Sequence, residues 1–393
     1  MANKKLYLFT ISFPYASAQE SNFVLPDLAK LTNQYEEIVI VPAQTTGEML
    51  VDLGPKISVD TRMAQAFLQR GRLKNFVSCR FVFWWVQICF QVLMSGKPSK
   101  LSLCFNAIFF SLRMSIARRY LKEISENADL FTFWNTYVTA AMAKMHTFKG
   151  RRWTRVHGDD LYPERQGGVI PFEKQTFQKL DEIVFASSMA KEFFINRHPR
   201  IRTNLSIAHI GVILPKDWQF KIAMPRRNPI VLVTCSGLIA VKRLHLINSW
   251  VKKWNDDYQS HAIEWHHLGA STDDIESHLG VHCEGRGHGW MSQEQVMKWY
   301  QLNQPFAFLS VSQSEGGFPV SMQEALLCGI PIIGSANDGV VEALEISNGF
   351  DLPASPEFED FKNVIEHVIS LSDNDLLLIR QNAMDVGKTH FLR

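Results

Sequence analysis

Short apolar runs alternate along this chain with longer segments whose apolar positions recur every three or four residues, the periods of buried strands and amphipathic helices. Leu6–Ile11 and Glu37–Val41 (EIVIV) are of the first kind, with a helix predicted over Asn22–Thr32 between them. Further strands are predicted at Leu130–Trp134, Thr154–His157, Glu182–Ala186 and Ser206–Ile210. The rhythm pauses across Leu214–Asn228 (LPKDWQFKIAMPRRN). It resumes with Ile230–Cys235, Ile263–Leu268, Phe306–Val311 and Pro331–Gly334. Strands alternating with helices imply parallel sheets covered on both faces. Two such runs predict two doubly wound α/β domains, residues 1–213 and 229–393, joined by a hinge at 214–228. In that architecture ligands bind beyond the carboxyl ends of strands and in the cleft between domains.

Composition narrows the field. A chain of 393 residues suits two domains of ~100–200 residues each, and 46% hydrophobic against 20% charged residues excludes global disorder. Forty-one Lys and Arg against 39 Asp and Glu leave +2, which excludes a globally basic nucleic-acid binder. The six cysteines never pair at metal-ligand spacing, so a zinc ribbon, an iron–sulfur site and a CxxC redox centre are unsupported. Free thiols in a reducing compartment are expected. The N-terminal apolar run reads as a first strand rather than a signal peptide. Phe81–Met94, interrupted by Gln87 and Gln91, is shorter than the ~18–20 residues a spanning helix needs. A cytoplasmic protein, soluble or peripheral on the inner membrane, is the expectation.

Between Arg62 and Lys122 there is no Asp or Glu, yet the segment carries eleven basic residues: Arg62, Arg70, Arg72, Lys74, Arg80, Lys97, Lys100, Arg113, Arg118, Arg119 and Lys122. Among them lie Phe81, Trp84, Trp85, Phe90, Phe109 and Phe110. Apolar helices with only positive charge suit an anionic bilayer, where each Lys or Arg adds about 1 kcal/mol. The bland alternative is a pair of core helices with solvated basic ends. Membrane-facing helices over 62–122 are expected.

The richest stretch is Val311–Glu342, VSQSEGGFPVSMQEALLCGIPIIGSANDGVVE. A strand runs into a loop with adjacent glycines and then a helix opening near Ser321. Unpaired amides at such a helix start make an anion site, and glycines let backbone approach a phosphate. Glu315 enters the loop and Glu324 lies about one turn into the helix, where two carboxylates could accept hydrogen bonds from sugar hydroxyls beside a diphosphate. Taken alone, the stretch is equally a capped helix with a surface glutamate.

The stretch closely resembles the donor site of family-4-like glycosyltransferases of the GT-B fold: Ser-Glu-Gly, a Pro-containing loop, Glu-Ala, Gly-x-Pro, then a later Glu. The family keeps its two glutamates one residue closer than the eight residues that separate Glu315 from Glu324. Gly316 occupies the strict register, and Glu315 is given the first role. The resemblance assigns donor contacts to Gly316, Gly317, Phe318, Pro319, Val320 and Glu324. Cys235–Ile247 (CSGLIAVKRLHLI) resembles the family's phosphate-holding turn. There Lys242 falls on the Lys position, Gly237 on the Arg position, and Arg243 is expected to substitute. Thr154–Lys174 (TRVHGDDLYPERQGGVIPFEK) resembles the capsule and O-antigen members. These put a histidine, here His157, beside the donor sugar. Asp159–Arg165 is expected to fix its loop through ion pairs, and Asp160 is an acceptor-side candidate. An Asp-x-Asp metal site is rejected, because such motifs do not follow His-Gly in a GT-B-like chain. Near the N-terminus Glu20 and Asn22 are acceptor-side candidates or caps of the first helix. Arg286 and His288 are nucleotide-pocket candidates, whereas Trp290 is expected in the core. The family's last helix, which crosses back to the N-terminal domain, looks short or missing at Thr389–Arg393.

The resemblance implies a GT-B transferase of two Rossmann-like domains facing across a cleft. It would take a UDP- or GDP-sugar without metal or other cofactor and retain anomeric configuration. Its acceptor would be a lipid-linked glycan, a polyprenyl diphosphate being the expected carrier, in cell-surface polysaccharide synthesis. No side chain stands out as a covalent nucleophile, so front-face attack by the acceptor hydroxyl is expected. The alternatives are a 2-epimerase of the same fold, an inverting enzyme with His157 as base, and a non-catalytic donor-binding or scaffold subunit.

Overall fold

The computed structural model describes residues 5–15, 18–49, 52–68, 79–95, 100–145, 147–337, 339–347 and 349–393. Four of the eleven basic positions, Arg70, Arg72, Lys74 and Lys97, lie outside them, as do Ala16 and Ser17. The chain forms two compact units, Met1–Ala208 and His209–Arg393. The division falls after Ala208 rather than after residue 213. The expected linker 214–228 packs on the second unit. Leu214, Trp218 and Phe220 lie against its core, and the Arg227 guanidinium reaches Ile369 O, Leu371 O and Asp373.

Seven parallel strands make the first sheet: β1 (Lys5–Thr10), β2 (Glu37–Pro42), β3 (Ile57–Val59), β4 (Asp129–Thr132), β5 (Arg152–Val156), β6 (Glu182–Phe185) and β7 (Asn204–Ile207). Their order is β3-β2-β1-β4-β5-β6-β7. Alternation along each strand divides the core between two faces. Leu6, Leu8, Ile38 and Ile40 pack against Val24, Leu28 and Leu31 of the helix Ala18–Gln34. Phe9, Val39 and Val41 face the opposite layer.

That opposite layer is built partly by the acid-free segment. The helix Cys79–Met94 supplies Trp84, Ile88 and Val92; the helix Lys100–Leu121 supplies Ala107, Met114, Ala117, Tyr120 and Leu121. These inner faces are core, as the bland reading held. The outer faces are not covered: Val82, Phe83, Val86, Phe90, Leu93 and Met94 on one helix, and Leu101, Phe105 and Phe109 on the other, are exposed. Leu101–Leu121, with a mean hydropathy of 1.2, is long and apolar enough to cross a bilayer by length and composition.

The second sheet contains β8 (Ile230–Cys235), β9 (Ile263–Leu268), β10 (Ala270–Ser271), β11 (Gly285–Gly289), β12 (Ala307–Ser310), β13 (Ile332–Ser335) and β14 (Phe350–Leu352). Its order is β10-β11-β9-β8-β12-β13-β14, parallel except for the β10–β11 pair. The helix Asp373–His390 lies on the helix Val320–Leu327, with Gly387 against the Leu326–Leu327 backbone where a Cβ would clash. Buried Arg380 donates to Pro305 O and Gln304. The helix Asp373–His390 is therefore seated on the second unit.

Candidate functional site

A doubly wound sheet opens a crevice beyond its strand ends where neighbouring strands connect in opposite directions. In the first sheet that point lies between β1 and β4, in the second between β8 and β12. Both crevices are lined by residues of interest.

In the second unit, β12 leads through residues 311–319 into the helix Val320–Leu327. Pro319 precedes the helix in extended conformation. The amides of Val320 and Ser321 make no hydrogen bond among the described residues, so two donors point out of the helix start. The glycine pair is held down from below: a Cβ at Gly339 would stand 1.9 Å from Gly317 O, so only glycine lets the two segments meet. Facing the loop, Lys242 Nζ lies 2.5 Å from Glu315 Oε1. A small pocket beside this ion pair is lined by Thr234, Ser236, Ser310, Ser312 and Ser321, among others.

Other predicted donor residues go elsewhere. Arg243 does not reach the loop's mouth. Its left-handed backbone (φ 50°) carries the guanidinium onto Val311 O, Ser312 O, Ser335 Oγ and Ala354 O, where it fixes the base of the loop. At Gly237 a side chain would begin in open space, with nothing within 4 Å, so no steric reason accounts for the missing arginine. Phe318 is buried between His209 and Phe391, leaving only its backbone to the loop. Glu324 is also buried, accepting from Gln293 Nε2 at 3.0 Å, and does not line the pocket beside Lys242. Burial pushes its carboxyl up to about 8, so it is largely protonated at neutral pH. His288 is engaged with His266 at 2.7 Å. Its imidazole is held down to about 4 by burial and by the charges of His266 and Arg286. Arg286 is exposed. Trp290, expected in the core, is 59% exposed.

In the first unit His157 ends β5 and is buried. Its Nε2 lies 3.1 Å from Phe133 O, and its ring centre is 4.1 Å from that of Trp134. Burial, reinforced by the Arg155 charge, lowers it to about 3, so the ring is neutral. With Nε2 donating to the carbonyl, Nδ1 is left as the acceptor. Asp160 is a clamp: its carboxylate accepts from the backbone amides of His157 and Asn135, joining the ends of β4 and β5. Burial pushes it up to about 8. Asp159 pairs with Arg165 at 3.1 Å. Glu20 accepts from the amides of Ile11, Ser12 and Phe13 and from Trp134 Nε1. It holds the loop after β1 rather than capping a helix. The helix starts at Ala18, before both candidates, and Asn22 is half-buried inside it.

Sequence reading missed the crevice itself. A pocket of ≈ 620 Å³ is lined by Thr10, Thr132, Asn135 and Thr136 at the strand ends, by Gln44–Thr46, and by Phe67, Phe110, Arg113, Trp134 and Tyr137. Asp160 also reaches it. The available signal was positional: polar and aromatic residues directly after β1, β2 and β4. Among the described residues no group of three or more His, Cys, Asp and Glu could hold a metal ion.

No family model and no curated protein matches the chain. Solved structures do. The trehalose-6-phosphate synthase OtsA is similar over 99% of this chain and 96% of its own, at 11% identity and TM-score 0.67. A sucrose-phosphate synthase from Thermosynechococcus elongatus matches over 99% and 95%, at 12% identity and TM-score 0.67. Anabaena HepE in complex with UDP and glucose matches over 99% and 95%, at 14% identity and TM-score 0.62. The chain thus has the two-unit, Rossmann-like GT-B fold of these glycosyltransferases.

Proposed function

We propose that this protein is a glycosyltransferase that takes a nucleotide-sugar donor in its second unit. The observation that carries the reading is the Lys242–Glu315 pair facing a glycine-rich loop whose helix offers two free amides. A bound diphosphate would draw the Lys242 ammonium onto its oxygens, with the Val320 and Ser321 amides beside it. Together they stabilise the departing nucleoside diphosphate without help from a divalent ion. Glu315, released from Lys242, then accepts hydrogen bonds from sugar hydroxyls. Glu324, protonated and deep in the helix, is assigned to the ribose. His157, neutral at any working pH, orients the sugar through Nδ1 rather than acting as a cation. The acceptor hydroxyl then attacks from the leaving-group face, with retention of configuration. That HepE was crystallised with UDP and glucose supports a UDP-sugar donor.

The acceptor is read as a lipid-linked glycan of cell-surface polysaccharide synthesis, met at the inner membrane. The support is the exposed apolar face of the helices Cys79–Met94 and Lys100–Leu121 with its wholly basic charge, complementary to an anionic bilayer. Scattered free thiols fit the cytoplasmic side. The test is nucleoside-diphosphate release from a panel of UDP- and GDP-sugars in EDTA, with and without membrane glycolipid. Release from one donor, raised by lipid and lost in Lys242→Ala and Glu324→Ala, is expected. A second reading, a donor-binding subunit without turnover, is favoured by the open space at Gly237 and the commitment of Arg243 to backbone carbonyls. It predicts a melting shift with UDP or GDP but no release from any donor.

A further inference from the structure

The first unit's pocket does not end at its own walls. A narrower slot of ≈ 150 Å³ shares Phe110, Asn135, Thr136, Asp160 and Gln166 with it. Beyond those residues the slot is mostly apolar, with Asn106 as its polar exception. It is lined by Ile88 and Val92 of the helix Cys79–Met94, Leu103 and Ala107 of the helix Lys100–Leu121, and Val169 and Ile170 of the facing loop. The same two helices carry the uncovered apolar face on their outer side. A crevice of mixed polar and aromatic lining, a mostly apolar slot and the exposed apolar surface therefore share one pair of helices.

Charge marks the junction. Phe110 lines both cavities, and Arg113, three residues on and so on the same helix face, lines the pocket. Arg113 is exposed, lies over the Tyr137 ring at 5.8 Å, and makes no ion pair among the described residues. The pocket's two carboxylates are already engaged, Asp159 by Arg165 and Asp160 by two backbone amides. An unpaired guanidinium in the crevice, one helical turn from a residue shared with the mostly apolar slot, complements a molecule that carries an anionic group beside an apolar chain.

We propose that this composite cavity is the binding site for an amphiphilic phosphate, with the anion on Arg113, the polar head in the crevice and the start of the chain in the slot between the two helices. The proposal rests on the glycosyltransferase reading for its purpose, since it names the acceptor class, but it stands on its own geometry. Farnesyl monophosphate below its micellar concentration is a suitable probe, compared with farnesol and with inorganic phosphate, each titrated into the full chain by calorimetry. Farnesyl monophosphate is expected to bind saturably and at least about tenfold more tightly than either fragment. Arg113→Gln should weaken it by about tenfold or more and leave farnesol unchanged. Leu103→Trp, at a half-buried slot position, should weaken farnesyl monophosphate and farnesol alike. Ile170→Trp repeats that test if the first variant melts early. Equal binding of inorganic phosphate and farnesyl monophosphate, or wild-type affinity in Arg113→Gln and a folded slot variant, would overturn the proposal. UDP-induced melting shifts, run in parallel, report on the second unit alone. Their absence in the wild type would count against the donor reading and not against this cavity.

Discussion

Glu324 makes the second unit sensitive to pH, and the sign can be worked out. Folded, the carboxyl stays neutral up to about 8; its ordinary value is 4.5. Between those values the unfolded chain gives up a proton that the folded chain keeps, so stability falls as pH rises through that window and levels off above it. Glu324→Gln removes the titration. Its melting temperature should gain on the wild type steadily between about pH 5 and 8, and a pH-independent difference in thermal melts would refute the burial argument. The adjacent basic pair separates in the same way. Arg243→Ala should lower stability by about 2 kcal/mol, because carbonyls under the loop lose a charged donor. Lys242→Ala should cost little stability and most of the turnover, as denaturant melts and donor kinetics would tell apart. Lys242 and Glu315 were each picked out by the resemblance of a motif, and the structure sets the two charges side by side. The direction of Arg243 was not legible, since it depends on one left-handed residue, nor was the burial of Phe318 between rings distant in the chain.

At the scale of elements, legibility followed apolar content. β2 and β8 are buried on both faces and announce themselves as near-continuous apolar runs. β3 and β14 are only three residues each, and β10 is two. β11, Gly-Arg-Gly-His-Gly, has no apolar residue at all and was read only through resemblance. Pairing with Trp265–His267 makes it a strand, and it packs so closely that a Cβ at Gly285 would strike the Trp265 ring. Glu20 teaches a related lesson, because a carboxylate early in a helix looks like a cap until the loop that it holds is seen. Glu20→Ala leaves three amides and an indole without their acceptor. It should destabilise the first unit by about 3 kcal/mol and speed hydrogen exchange at Ser12 and Phe13 selectively.

For the whole molecule, the two doubly wound units were readable from the interrupted rhythm of strands. The boundary was not, because a Pro- and Arg-rich composition hides the packing of half-buried Trp218 and Phe220 against the second unit's core. The acid-free segment proved two-sided, core within and apolar without, a distinction that composition cannot draw. Vesicles with a quarter anionic lipid should sediment with the full chain, and neutral vesicles or 0.5 M salt should release it. Phe83→Ser with Phe90→Ser should reduce that binding by at least about tenfold while leaving UDP-induced melting shifts intact. One last consequence belongs to the Lys242–Glu315 pair. Because each charge is already answered by the other, the site presents no bare cation to the anions around it. Free phosphate would capture the lysine only by stranding a carboxylate. A molecule bearing both a diphosphate and a sugar satisfies both partners at once, and after transfer the spent diphosphate satisfies only one. On the proposed donor reading, the pair would work as a turnstile, admitting the whole donor and ushering out its remnant.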